Sequence, residues 1–97
     1  MALDVRITET ARDSLADLEV QPRERIVRKL SDVEDFPEHY LDRLTNLPGY
    51  ALRVGDFRVI LDWDREENVL YVVAVLERKH DYRELPGLGE VWGTWRE

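Results

Sequence analysis

The dipeptide Gly55-Asp56 constrains this chain more than any other feature, because it divides two runs with the residue types of strands. Tyr50 to Val54 and Phe57 to Trp63 are rich in β-branched and aromatic side chains, and a Gly-first pair between them fits a type II′ hairpin turn. A two-residue loop also fixes the register: Val54 faces Phe57, Arg53 faces Arg58, and Leu52 faces Val59. Tyr50, Leu52, Val54, Phe57, Val59, Leu61 and Trp63 then share the core face. Arg53 and Arg58 project together from the other face. Like charges opposed across strands repel, so the pair calls for an anion. That anion is either a carboxylate of the chain, for which Asp62 and Glu77 are available, or a phosphate.

Val69 to Leu76 is apolar at nearly every position, as in a strand buried on both faces inside a sheet. Setting Val69, Tyr71, Val73 and Val75 toward the core leaves Ala74, Leu76 and Arg78 on the arginine face. His80 and Tyr82 follow by the same parity if the chain stays extended. Arg53, Arg58, Arg78, His80 and Tyr82 are thus expected along one concave surface. Arg78 is expected four residues, roughly 13 Å, beyond the partner of Arg58.

Upstream the period changes. Val5 and Ile7 alternate with polar neighbours, as in a first strand. Thr10-Ala-Arg-Asp13 has the spacing of a capping box, which starts a helix there with Ala11, Leu15 and Leu18 on its buried face. Gln21-Pro22 interrupts it and opens a second helix, whose apolar stripe is Ile26, Val27, Leu30 and Val33 and whose flanks carry Arg23, Arg25, Arg28 and Lys29. Residues 37–44 read as a short helical turn, and Leu47-Pro48-Gly49 punctuates the chain before the hairpin. The expected fold is α+β, in the order β-α-α-β-β-β, with a helical hairpin packed on one face of a small antiparallel sheet. Residues 1–84 form the domain and 85–97 a tail with glycines, Trp92 and Trp95. The tail either folds back over the sheet face, where it would block the arginines, or orders with a partner.

The length, 97 residues, suits a single domain. A formal charge of −7 argues against a protein that coats nucleic acid without specificity, yet permits a local basic site. Lysine occurs only as Lys29 and Lys79, and an acidic, lysine-poor surface is one way to stay hydrated in high salt. With no cysteine, thiol nucleophiles, disulfides and cysteine-ligated metals are excluded. No apolar run reaches the ~18–20 residues of a membrane span, and the N-terminus lacks the layout of a signal peptide. The expectation is a soluble, cytoplasmic domain. Asp62-x-Asp64-x-Glu66-Glu67 lacks the glycine turn and oxygen count of a calcium loop and reads as a solvated hairpin tip. Neither a glycine-rich phosphate loop nor a serine triad is present, so no metal and no cofactor are expected. His39 reads as an ordinary position in the short helix.

Two stretches carry a resemblance. Leu47-Pro48-Gly49 through Val59-Ile60-Leu61, with "LRVGDFRVI" at its centre, and Val72 to Tyr82 after an acidic loop are similar to the RelE/ParE toxin superfamily. The likeness spans Asp4 to about Arg83. It implies a small toxin of a type II toxin–antitoxin pair. RelE-type members cut messenger RNA in the ribosomal A site, whereas ParE-type members inhibit DNA gyrase. The implied partners are a cognate antitoxin, the ribosome and mRNA, in a homodimer or a heterotetramer with the antitoxin, with no membrane.

By the same resemblance, Arg58 and Arg78 match catalytic arginines, and Tyr82 matches a C-terminal tyrosine that stacks on a base or assists proton transfer. His80 is similar to a histidine used in a related branch. Arg53, with Lys79, is the substrate-binding set. A further basic position of RelE-type toxins falls on Ala51, a departure from the pattern. The implied chemistry is metal-free: a 2′-hydroxyl attacks phosphorus while guanidinium groups stabilise the added negative charge. His80, with an ordinary pKa of about 6.5, suits the general base, and nearby arginines favour its neutral form. Arg23, Arg25, Arg28 and Lys29 are either a solvated helix face or a contact to ribosomal RNA. The competing function is a binding member without catalysis, either ParE-like or degenerate.

Overall fold

The computed structural model describes residues 3–45, 47–77, 79 and 88–96. In chain order these form β1 (Asp4–Ile7), α1 (Glu9–Ala16), α2 (Val20–Asp35), α3 (Pro37–Tyr40), β2 (Asp42–Arg43), β3 (Tyr50–Val54), β4 (Phe57–Asp64) and β5 (Val69–Glu77). The strands make one five-stranded sheet in the order β1-β5-β4-β3-β2. From β2 to β5 neighbours run antiparallel, but β1 lies parallel to β5, Asp4 to Ile7 against Val69 to Val72. The antiparallel sheet expected from sequence is therefore mixed. Tight hairpins force antiparallel pairing; β1 is separated from the other strands by helices and is free to run parallel.

The hairpin has the expected register, with Val54 on Phe57, Arg53 on Arg58 and Leu52 on Val59. Gly55 alone of the two loop residues has a positive φ (58°), as a Gly-first turn of the II′ kind requires. Leu52, Val54, Val59 and Leu61 join Ala11, Leu15, Ile26, Leu30 and Val33 in the core between the sheet and the helices.

Three local expectations are corrected. Helix α1 begins two residues early, capped by Thr8 rather than Thr10: the Thr8 hydroxyl accepts from the Ala11 N–H and donates to the Val72 carbonyl (2.9 Å). That second bond ties the cap to β5, a tertiary contact absent from the local pattern. Val27, placed on the buried stripe, is 52% exposed, because Ile26, Leu30 and Val33 already fill the face of α2 that meets the sheet.

The third correction concerns β5. Its pairing with β4 slips between Ile60 and Leu61: Ile60 faces Ala74, while Leu61 faces Val72, leaving Val73 as an extra residue. One extra residue reverses the parity of everything before it. Val75 faces the helices as expected, but Leu70 and Val72 do so in place of Val69, Tyr71 and Val73. The last three turn with Ile60 and Ala74 to the opposite face, where they form a second apolar cluster. Leu88, Trp92 and Trp95 pack against that cluster, so the C-terminal segment folds back over the sheet.

Candidate nucleic-acid interface

The face of the sheet away from the helices has two halves. Toward the Asp62 end of β4 it is closed. Asp62, fully buried, accepts from the Trp95 indole N–H at 2.7 Å and from Arg96, whose Nε lies at 2.6 Å and whose second guanidinium nitrogen is closer still. This bond raises the Arg96 pKa above its ordinary value, against the opposing effect of burial. The Trp92 and Trp95 rings meet edge to face, with centroids 5.1 Å apart.

Toward the hairpin end the described residues leave the face open. Arg53 and Arg58 sit directly opposite each other, Arg53 exposed and Arg58 half-buried beside Leu76, its partner on β5. Cβ atoms so paired are about 5 Å apart, close enough for both guanidinium groups to reach one anion. With Gly55 and Phe57 they line a cleft of 230 Å³ around the turn.

Among the described residues neither arginine has an ion pair. The carboxylates available in the sequence are engaged elsewhere: Asp62 by Arg96 and Trp95, and Glu77 by Lys79 at 3.5 Å. Of the two alternatives the sequence left for the tail, its described residues 88–96 take the fold back over the sheet, but without covering the arginines, Arg53 remaining exposed. Trp92 and Trp95 pack on the second apolar cluster, and neither lines the cleft at the arginines.

Other arginines contrast with this pair. Arg6 holds Asp4 at 2.9 Å. Arg65 lies 3.8 Å over the Trp63 ring, reaches Glu38 at 3.5 Å, and donates to the Tyr50 hydroxyl at 3.4 Å. That bond, with the positive charge behind it, lowers the Tyr50 pKa below its ordinary value.

Of the other residues singled out from sequence, Lys79 is exposed and paired with Glu77 in the surface bridge above. Arg78, His80 and Tyr82 lie outside the described residues. Because Arg58 pairs with Leu76 rather than Ala74, Arg78 follows that partner by two residues in sequence, not four. Ala51 packs with the second apolar cluster that the tryptophans cover. His39 is exposed in α3, edge-on to Tyr40 at 4.7 Å. Sequence reasoning missed the bond from Asp62 to Arg96. Its one signal is a carboxylate in an apolar strand, at a position of outward parity, in a chain whose tail carries Trp95 and Arg96.

A model of the family described as the ParE toxin of the type II toxin–antitoxin system, parDE, matches residues 5–82. No curated protein matches the chain by sequence. Among solved structures, a mutant of the Escherichia coli toxin RelE in the free state is 27% identical. Its TM-score is 0.68, and the match covers 79% of this chain and 84% of that one. The intact E. coli RelBE toxin–antitoxin complex contains a chain 26% identical, with a TM-score of 0.68 and coverage of 78% and 96%. A chain of the RelBE2 toxin–antitoxin complex from Mycobacterium tuberculosis shares the fold, with a TM-score of 0.74 at 23% identity over 80% of this chain and all of that one.

Proposed function

The chain belongs to the RelE/ParE superfamily of type II toxins, and from that premise we propose that it is a ribosome-dependent endoribonuclease whose hairpin arginines grip the RNA backbone. The observation that carries this reading is the opposed pair Arg53 and Arg58, facing solvent with no carboxylate partner among the described residues. Such a pair is unfavourable for an isolated protein and favourable once a phosphate lies between its members.

In this reading Arg58 and Arg78 stabilise the extra negative charge on the attacked phosphate, and Arg53 and Lys79 hold adjacent phosphates. His80 takes the proton of the 2′-hydroxyl as its oxygen attacks phosphorus. The bond to the 5′-oxygen breaks, and that oxygen receives a proton with help from Tyr82, leaving a 2′,3′-cyclic phosphate. Positioning of the mRNA falls to the ribosome, and inhibition to a cognate antitoxin, in a homodimer or a heterotetramer. Solved relatives include complexes of RelE with RelB.

Ala51 favours a second reading. The basic group that RelE-type toxins carry there is replaced by a methyl packed with the tryptophan-covered cluster. A member that binds gyrase, or nothing, without cutting RNA would tolerate that change.

Induced expression in a bacterial host separates the two. The unmodified chain should arrest growth and yield ribosome-dependent cuts by primer extension, and Arg53→Ala with Arg58→Ala should relieve the arrest by at least about 100-fold in viable count, the scale of two lost charge-assisted contacts. Arrest with intact mRNA and altered plasmid supercoiling would instead establish the gyrase reading. Absence of arrest would exclude both activities.

A further inference from the structure

One more guanidinium reaches the hairpin tip, from the opposite side of the sheet. Ile26 is fully buried and fixes the rotation of α2, so that Arg25 projects from the helix toward the turn. Its Nη1 lies 2.9 Å from the place a Cβ on Gly55 would occupy. Gly55 also lines the cleft that holds Arg53 and Arg58. The turn therefore has arginines on both sides and, at its sharpest residue, no side chain between them. No ion pair of Arg25 occurs among the described residues. The opposing charges nearby are Asp56, exposed on the same turn, and Glu77, which faces Phe57 and is held by Lys79.

Resting on the RNA-binding reading above, we propose that Arg25 is a third phosphate contact, so that RNA held by Arg53 and Arg58 runs off the sheet face, around the Gly55-Asp56 tip and toward α2. A backbone approaching the turn meets Arg25 only because Gly55 presents no side chain in its way. Arg25 acts on backbone charge alone: its contribution is independent of base sequence and sensitive to salt.

The test is binding of the full-length chain to a fluorescent single-stranded RNA whose 2′-hydroxyls are methylated to prevent cleavage, titrated at several salt concentrations. Arg25→Gln should weaken binding about 3- to 10-fold for every sequence tried and reduce the salt slope by about 0.7, the value of one lost phosphate contact on a single strand. Arg12→Gln, an exposed position on α1 with the same change in net charge, should leave both unchanged. Asp56→Asn should tighten binding. If Arg53→Gln with Arg58→Gln weakens binding while Arg25→Gln matches the parent, the path toward α2 is wrong and the hairpin reading stands. If the double variant binds as the parent does, the hairpin reading falls and this inference with it. A loss equal for Arg12→Gln and Arg25→Gln would reduce the effect to net charge and overturn the proposal.

Discussion

The two halves of the sheet face away from the helices treat charge in opposite ways. At one end a buried carboxylate, Asp62, is fully answered by Arg96 and Trp95. At the other, two guanidinium groups face each other and no carboxylate of the described chain answers them. Both halves use the same strands, so composition does not explain the difference. A charge removed from water must be paired inside the protein, whereas a charge left in water can wait for a ligand. The closed half thus serves the fold, and under the proposed function the open half serves a partner.

The sharpest way to break this division is to remove the carboxylate. Asp62→Ala takes away the acceptor shared by Trp95 and Arg96. Arg96 can turn to water, since its side chain is already 38% exposed, which limits the loss. The expected cost is about 2–3 kcal/mol, from the lost charged hydrogen bonds and the gap left behind. In a domain of this size that is a fall of about 10–20 °C in Tm. Calorimetry should show it, while RNA binding by Arg53 and Arg58 persists below the new Tm. An unchanged Tm would mean that the C-terminal segment is held by its tryptophans alone.

A smaller effect is expected at Gly49, where the sequence showed only a break before the hairpin. A Cβ there would overlap the Trp92 ring and the Leu61 carbonyl. The indole can shift, but the strand carbonyl cannot do so cheaply, so Gly49→Ala should cost about 1–3 kcal/mol. Tryptophan fluorescence should move to the red as Trp92 loses its seat. Were emission and Tm unchanged, Trp92 would not be part of the closed half.

At neither of these two sites is the contact legible in the sequence, in contrast to the hairpin. The hairpin was legible because its information is local: a two-residue loop sets the register, and the register sets which residues face which. The opposed arginines followed at once. Strand β5 was misread in its first half because a bulge at Val73 leaves no mark in a run of Val, Tyr, Leu and Ala, any of which suits either face. The start of α1 was misread because Thr8 and Thr10 are equivalent as local caps; a bond to β5 selects Thr8. The pairing of Asp62 with Arg96 spans 34 positions and has no periodic signature. Covering of the sheet face by the tail was legible only as one of two alternatives, because Trp92 and Trp95 mark an apolar segment without saying which cluster it covers.

The smallest effect is the most discriminating. If Arg53 and Arg58 repel each other while waiting for an anion, removing one charge should stabilise the free protein. Arg58→Gln keeps much of the side chain's length and its packing beside Leu76, and leaves Arg53 without a like charge opposite. The expected gain is about 0.2–1 kcal/mol, a rise of a few degrees in Tm. It should shrink toward zero in 1 M salt, where the Debye length of about 3 Å is shorter than the gap between the groups. The same substitution should weaken RNA binding, giving a variant that is more stable and less active. That opposition is what a functional pair predicts and a structural pair forbids, since a structural arginine stabilises through a partner that glutamine cannot replace. A lower Tm for Arg58→Gln at low salt would therefore place Arg58 in the same class as Arg96, and would erase the distinction between the two halves of the sheet.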